Sequence, residues 1–307
     1  MAKKIYLVLG AGLGLEYGFP DNKKLREILM DELEPYEKGL KEILRVSYAD
    51  TIDEVADKYN GHRDTLRRMT AKILLRGEDE EVLMRHGPNT YKRLLKQIVN
   101  ARLNGDTTKI LTFNYDRSLQ YLIYKMNAVA PVQSEWVDPS IVTPFFGRLP
   151  LMDCERGQRS NTPYRKYGGE VDIPIKILDN REYQDVSQVD DFFSECNMSF
   201  ICQGSRADLT SIKRNFEEAD LVLFLGFGYH KANMDMLGFD FSKKHPKKLI
   251  VGTALGCSKS EIARIQRKFP ALEYLYDCTA YDLLTNSFDL SDFDAHIERS
   301  KETFFVS

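Results

Sequence analysis

At 307 residues, with 43% hydrophobic and 29% charged side chains, the composition is that of a globular protein and not of a fibrous or disordered chain. A net charge of −3 supplies no basic footprint, which argues against direct binding to nucleic acid or an anionic membrane. No apolar window approaches the roughly 20 residues of a membrane span, and the about five apolar residues before Gly10 fall short of a signal-peptide core of roughly 7–15. A cytoplasmic, untargeted protein is expected.

The first element, "KIYLVL" at 4–9, is a short apolar run of β-formers and reads as a buried strand. It runs into "GAGLGLEYGFPD", where Gly10, Gly12 and Gly14 alternate and Gly18 and Pro20 follow. From Asp21 to about 105 the texture becomes helical. Leu25, Ile28, Leu29 and Leu33 share one face behind an Asp or Asn cap. Leu66, Met69, Ile73 and Leu74 repeat the spacing, as do Tyr91, Leu94, Leu95, Ile98 and Val99. "KILTF" (109–113) is a second strand, followed by the helical stretch "RSLQYLIYKM". "SIVTPFFGRL" (140–149) is a weaker third strand. Residues 151–205 lack periodicity and read as an irregular excursion. "ADLVLFLGFG" (219–228) and "KKLIVGTALG" (247–256) are two further strands, "SKSEIARIQRKF" a helix with a capping box, and "LEYLYD" (272–277) a last strand.

Apolar strands alternating with helices predict an α/β fold: a doubly wound, mostly parallel, Rossmann-like sheet. The expectation is one domain over 1–307, with a helical insertion at about 21–105 after the first strand. The five cysteines, Cys154, Cys196, Cys202, Cys257 and Cys278, form no C-x-x-C pair, so no zinc ribbon or redox dithiol is spelled and no metal site is expected.

In such a sheet ligands sit beyond the carboxyl ends of the strands. Gly10, Ala11, Gly12 and Gly14 stand at one such end, where missing Cβ atoms let backbone N–H groups approach a pyrophosphate. A tight strand-to-helix turn without a ligand explains the same residues. The dehydrogenase fingerprint is absent, because Leu15 stands where its third glycine belongs and Gly18 and Pro20 break the helix. Hydride transfer is therefore disfavoured.

"GAGLGLEYGFPD" resembles the G-A-G-x-S-x-x-x-G-x-P-D turn of the sirtuins and their bacterial sirtuin-like relatives. "TFNYD" (112–116) is similar to that family's T-x-N-x-D, in the form found in sirtuin-like NAD hydrolases of antiphage defence. "LGFGYHKANM" (225–234) resembles the segment after their fourth strand. The resemblance implies NAD as substrate or ligand, with Gly10, Ala11, Gly12, Gly14, Pro20, Asp21, Thr112, Phe113, Gly147, Gly226, Phe227, Gly228 and His230 around it. It also implies that Asn114 and Asp116 carry the chemistry. Asn114 would bond the ribose hydroxyls or the attacking water. Asp116 would accept from the carboxamide or oppose the developing positive charge; it equally suits a helix cap before "RSLQYL". His230 equally suits a solvated or capping histidine.

Three positions depart from the family pattern. Phe146 stands before Gly147 where the family places a His–Gly pair with a basic histidine, Gly14 stands where sirtuins commonly carry Ser, and the zinc C-x-x-C pairs are missing. The absent histidine and the missing zinc pairs together argue against protein deacylation. Two functional expectations follow. One is an NAD hydrolase releasing ADP-ribose and nicotinamide in antiphage defence, regulated by a protein partner or a homo-oligomer. The other is a weak or inactive NAD or ADP-ribose sensor, or a structural subunit of a defence complex.

Overall fold

The computed structural model describes residues 2–33, 38–46, 52–85, 87–130, 136–146, 149, 198 and 207–292. Six strands, β1 (Lys4–Leu9), β2 (Thr107–Thr112), β3 (Val142–Pro144), β4 (Leu221–Leu225), β5 (Leu249–Thr253) and β6 (Tyr274–Tyr276), form one sheet. Every pairing is parallel, and the spatial order is β3-β2-β1-β4-β5-β6. This is the doubly wound, Rossmann-like α/β fold expected from the sequence. Its order reverses between β1 and β4, the kind of switch point at whose carboxyl end ligands bind in open α/β sheets.

Period-two alternation divides the sheet between two cores. Ile5, Leu7 and Leu9 of β1 pack with Leu221, Leu223 and Leu225 of β4 on one face. Tyr6, Val8, Val222 and Phe224 point to the other. Six helices stand between β1 and β2 among the described residues: α1 (Asn22–Glu32), α2 (Lys38–Val46), α3 (Ile52–Lys58), α4 (Arg63–Gly77), α5 (Glu80–Met84) and α6 (Thr90–Leu103). The side chain of Asp21 caps α1 and that of Asn89 caps α6, each accepting from the N–H three residues on. Helices α1 to α4 hold a third cluster of their own, with Leu25, Leu29, Leu40, Leu44, Val55, Leu66 and Ile73 buried together. Helix α6 instead packs Leu94, Leu95 and Ile98 onto the sheet, beside α7 (Ser118–Val129). On the opposite face, α8 (Leu209–Glu218) supplies Ile212 and Phe216. Helix α9 (Lys231–Met236) follows β4, and α10 (Lys259–Lys268) carries the expected capping box between Ser258 and Glu261.

The third strand is shorter than the expected 140–149. It is an edge strand, and Pro144 ends it, having no N–H to donate to a ladder. The expected excursion at 151–205 lies outside the described residues apart from Met198, as do Gly147 and the cysteines at 154, 196 and 202.

The glycine turn folds as a 3-10 helix, Ala11–Tyr17, stopped by Gly18 in the left-handed region at φ 85°. Gly10 and Gly12 lie against the end of β4. The Gly10 N–H donates to the Leu225 carbonyl at 2.9 Å and the Gly12 N–H to the Gly226 carbonyl at 3.0 Å. A Cβ on Gly10 would stand 2.4 Å from the Gly226 oxygen and 2.6 Å from the Phe227 Cα. Both obstacles are backbone, so neither can swing aside. Gly10→Ala therefore costs about 1–3 kcal/mol or more of stability, read as a lower urea midpoint. A midpoint equal to the parent's would show that the two turns separate freely.

Candidate functional site

The site is built from three strand ends and the start of α6. The Phe113 N–H donates to the Leu9 carbonyl at 2.8 Å, so the first residue past β2 is tied to the last residue of β1. The next residue, Asn114, is turned the other way. Its N–H donates to Thr112 Oγ1 at 3.1 Å, a local bond that closes the turn. Its side chain, in a residue only 7% exposed, donates from Nδ2 to the Tyr91 hydroxyl at 3.3 Å. Its Oδ1 is buried with no hydrogen-bond partner. An orphaned buried acceptor costs roughly 1–3 kcal/mol, which a ligand donor would recover.

Tyr91 links this amide to the glycine turn. Its ring stacks on Tyr17 with centroids 4.6 Å apart and planes 5° from parallel. The Tyr17 hydroxyl accepts from the Tyr91 N–H at 2.9 Å and donates to Asn89 Oδ1 at 3.1 Å. Glu16, one residue earlier, accepts from the Thr90 N–H at 3.0 Å and from its hydroxyl at 2.5 Å. The 3-10 turn thus caps α6 with two of its own side chains. Burial, reinforced by the nearby Asp116 carboxylate, pushes the Tyr91 phenol well above its ordinary value. It remains a neutral hydroxyl at working pH and does not replace the missing basic histidine.

Asp116 is buried as well, and desolvation raises its pKa against the opposing hydrogen bonds from the Ser118 side chain and N–H. That N–H donates to Oδ1 at 3.0 Å, so the helix-capping reading of Asp116 describes one of its bonds. Arg117 and Glu78 are fully buried beneath it. Arg117 donates from Nη2 to Glu78 Oε2 at 2.5 Å, from Nε to Oε1 at 3.0 Å and from its own N–H to Oε1 at 3.2 Å. This fork fastens the end of α4 to the loop that carries Asn114 and Asp116. Burial pushes the Glu78 carboxyl up to about 7, with the guanidinium opposing the shift.

On the opposite face, Phe113, Phe145, Phe146 and Phe227 form one aromatic cluster. Phe113 stacks on Phe145 at 4.5 Å and meets Phe146 and Phe227 edge-on at 5.4 Å and 4.9 Å. Phe146, at the position where the resemblance expects a base, is packed apolar surface. Gly226 adopts φ 61° and its N–H donates to Thr253 Oγ1 at 2.9 Å. Tyr229 is the one non-glycine residue at positive φ among the described residues; its hydroxyl donates to the Thr253 carbonyl at 3.1 Å. His230 is exposed and precedes α9 without capping it through its side chain. Gly228 lies under the His230 ring.

The structure therefore brings Gly10, Ala11, Gly12, Thr112, Asn114 and Asp116 to one end of the sheet beside Gly226. It places Phe113 and Phe227 in the aromatic cluster. Two of the turn's amides are already satisfied by β4, so the alternate glycines serve loop contact whatever ligand is present. Ala11, exposed at the head of the 3-10 turn, has no intrahelical acceptor for its N–H. Gly14 accounts for its own departure from serine: a Cβ there would press 3.3 Å from the Phe19 side chain. Pro20 and Asp21 line a different cleft, of about 520 Å³, walled by Leu15, Phe19, Ile73 and the Arg76–Glu32 ion pair between α1 and α4. Sequence reading missed Glu78, Arg117 and Tyr17. It took Tyr91 only as one member of an apolar helical stripe, since a phenol at that spacing carries no sign of its partner. Among the described residues no cluster of His, Cys, Asp and Glu could hold a metal, and no helix is long and apolar enough to cross a membrane.

No family model and no curated protein matches the chain. Solved structures similar to it include a Sir2 homologue in complex with NAD, at 12% identity and a TM-score of 0.44, covering 98% of this chain and 91% of that one. A mutant Sir2 homologue with ADP-ribose aligns at 11% identity and a TM-score of 0.43, covering 100% and 95%. A third, a mutant with 2'-O-acetyl ADP-ribose, aligns at 13% and 0.45, covering 100% and 95%.

Proposed function

We propose that the crevice at the ends of β1, β2 and β4 binds NAD and that the protein hydrolyses it to ADP-ribose and nicotinamide. The observation that carries this reading is the buried, unpartnered Oδ1 of Asn114, at the end of β2 and tied through Tyr91 and Tyr17 to the glycine turn. An amide oxygen there accepts from a hydroxyl, which suits a ribose or the attacking water.

In the reaction, the bond between ribose C1' and the pyridinium nitrogen breaks and its electron pair neutralises the ring. Nicotinamide leaves without needing a proton, and water adds to the oxocarbenium carbon and loses a proton to solvent. Such a step depends on stabilising a cation and admitting water on its free face. Asp116 supplies the nearby carboxylate, and Asn114 the orienting amide. A strong base is dispensable because the cation is itself the driving electrophile, so Phe146 lowers the rate without removing the chemistry. A positioned base ordinarily contributes about 10²–10⁴-fold.

The resemblance to the defence-type hydrolases extends the reading to depletion of cytoplasmic NAD in a bacterial cell during phage infection, controlled by a protein partner or by homo-oligomer assembly. The second reading, an NAD or ADP-ribose sensor without turnover, is favoured by the packing of Phe146 into the aromatic cluster. Incubation of the purified protein with NAD, followed by chromatography, separates the two. Nicotinamide release supports the hydrolase. Saturable binding by calorimetry with no release supports the sensor, and the absence of both removes NAD from the account.

A further inference from the structure

We infer that Glu78, the residue just past α4 of the inserted helices, determines specificity for a ligand with a cationic ring, because it cancels the buried charge of Arg117. This deepens the NAD reading and rests on it for the ligand's identity. Arg117 follows Asp116 directly in the chain and is fully buried. A bare guanidinium there would repel both the pyridinium ring of NAD and the cation that forms as that ring leaves. Three N–H groups of Arg117 instead converge on the one carboxylate of Glu78, itself fully buried. The charge of Arg117 is answered from the insertion, and that of Asp116 is left to act on the ligand.

Glu78, Asp116 and Arg117 are two acids and one base. With both carboxyls ionised they carry a net negative charge, which a buried setting screens far less than water does. Burial holds the Glu78 carboxyl at about 7, so the cluster gains negative charge as pH passes that value. The groups around it do not reverse that sign. The phenols of Tyr17 and Tyr91 stay neutral, both raised by burial. Glu16 of the glycine turn pairs with Arg85 at 3.8 Å, Glu80 of α5 with Lys125 of α7 at 2.9 Å, and Glu32 of α1 with Arg76 of α4.

The test compares NAD with NADH, whose nicotinamide ring is neutral while the rest of the dinucleotide is the same. Calorimetry on the purified protein is run at a pH well above the Glu78 value. The parent prefers NAD by about tenfold. Glu78→Gln keeps the length of the side chain and an acceptor oxygen for Arg117. It loses most of that preference by weakening NAD, while binding NADH as the parent does. The preference of the parent also grows as pH rises through about 7. The same series in His230→Gln removes the exposed imidazole past β4 from the account.

An undiminished preference for NAD in Glu78→Gln overturns the inference. Equal weakening toward both dinucleotides overturns it too, by assigning Glu78 a purely structural role. Should Glu78→Gln fail to fold, the pH series decides alone, and a preference that stays flat through that range overturns the inference. Equal binding of NAD and NADH by the parent overturns it while the NAD reading stands. A parent that binds neither removes the NAD reading and this inference with it.

Discussion

Replacing Glu78 with alanine lowers the unfolding free energy by about 3–5 kcal/mol, because it takes a charged acceptor away from a fully buried guanidinium. Both residues are fully buried, and three donors of Arg117 converge on the one carboxylate. The cost is that of a buried guanidinium losing hydrogen-bond acceptors, which a protonated Glu78 would still offer, and is not the net worth of the pair. Accordingly, the double replacement Glu78→Leu with Arg117→Met recovers most of the loss, since an apolar pair of similar volume avoids the desolvation of both ions. Urea unfolding of the three variants decides the matter. A single-variant loss below about 1 kcal/mol would mean that water reaches the pair and that the fork is a surface contact in effect.

The same pair gives stability a pH dependence of defined sign. Glu78 is held at about 7 in the folded chain by burial, against roughly 4.3 when unfolded. A raised carboxyl binds its proton more tightly in the folded state, so the penalty is absent below the unfolded value. Stability is then lost as pH climbs through the window toward about 7. Asp116 acts in the same direction. The thermal midpoint is expected to fall between these values, with a shallower fall in Glu78→Gln; an unchanged slope in that variant would assign the effect to other groups.

Asn114→Ala reduces nicotinamide release by about 10²–10³-fold, the usual cost of removing one preorganised polar group from a reacting centre. The variant removes the orphan acceptor but also the Nδ2 donor to the buried Tyr91 hydroxyl, so two opposed costs leave the stability close to the parent's. That separation of effects is the signature of a functional residue: activity falls while the unfolding midpoint moves little. Asn114→Asp retains the shape but puts a second carboxylate near the buried Asp116, which raises the pKa of the pair. Release by Asn114→Ala within about threefold of the parent would remove Asn114 from the chemistry, on the same scale of effects.

Much of the architecture was legible in the chain. The strands β1, β2, β4 and β5 announced themselves as apolar runs, because a parallel strand covered on both faces has no solvent-facing positions to mark with polar residues. Three helices of the insertion, α1, α4 and α6, showed their 3.6-residue stripes, and the expected caps at Asp21 and Ser258 lie where short polar side chains meet the first free N–H groups. The edge strand β3 was overestimated, since three residues beside a proline leave no period to read.

The sequence by itself therefore determined the layers, the placing of the glycine turn at a strand end, and the residue types Asn and Asp one loop away, all of them local in chain distance. Only the tertiary structure decided what those residues touch. Glu78 reaches Arg117 across 39 positions and Tyr91 reaches Asn114 across 23, and neither spacing leaves a trace in local periodicity. The tertiary fold also showed that the amides of Gly10 and Gly12 answer the carbonyls of Leu225 and Gly226, at and just past the end of β4 and more than 200 residues away. Propensity and patterning act over a few bonds, whereas the meeting of two buried polar groups is fixed by how whole elements pack, and burial is what gives each such meeting its energy.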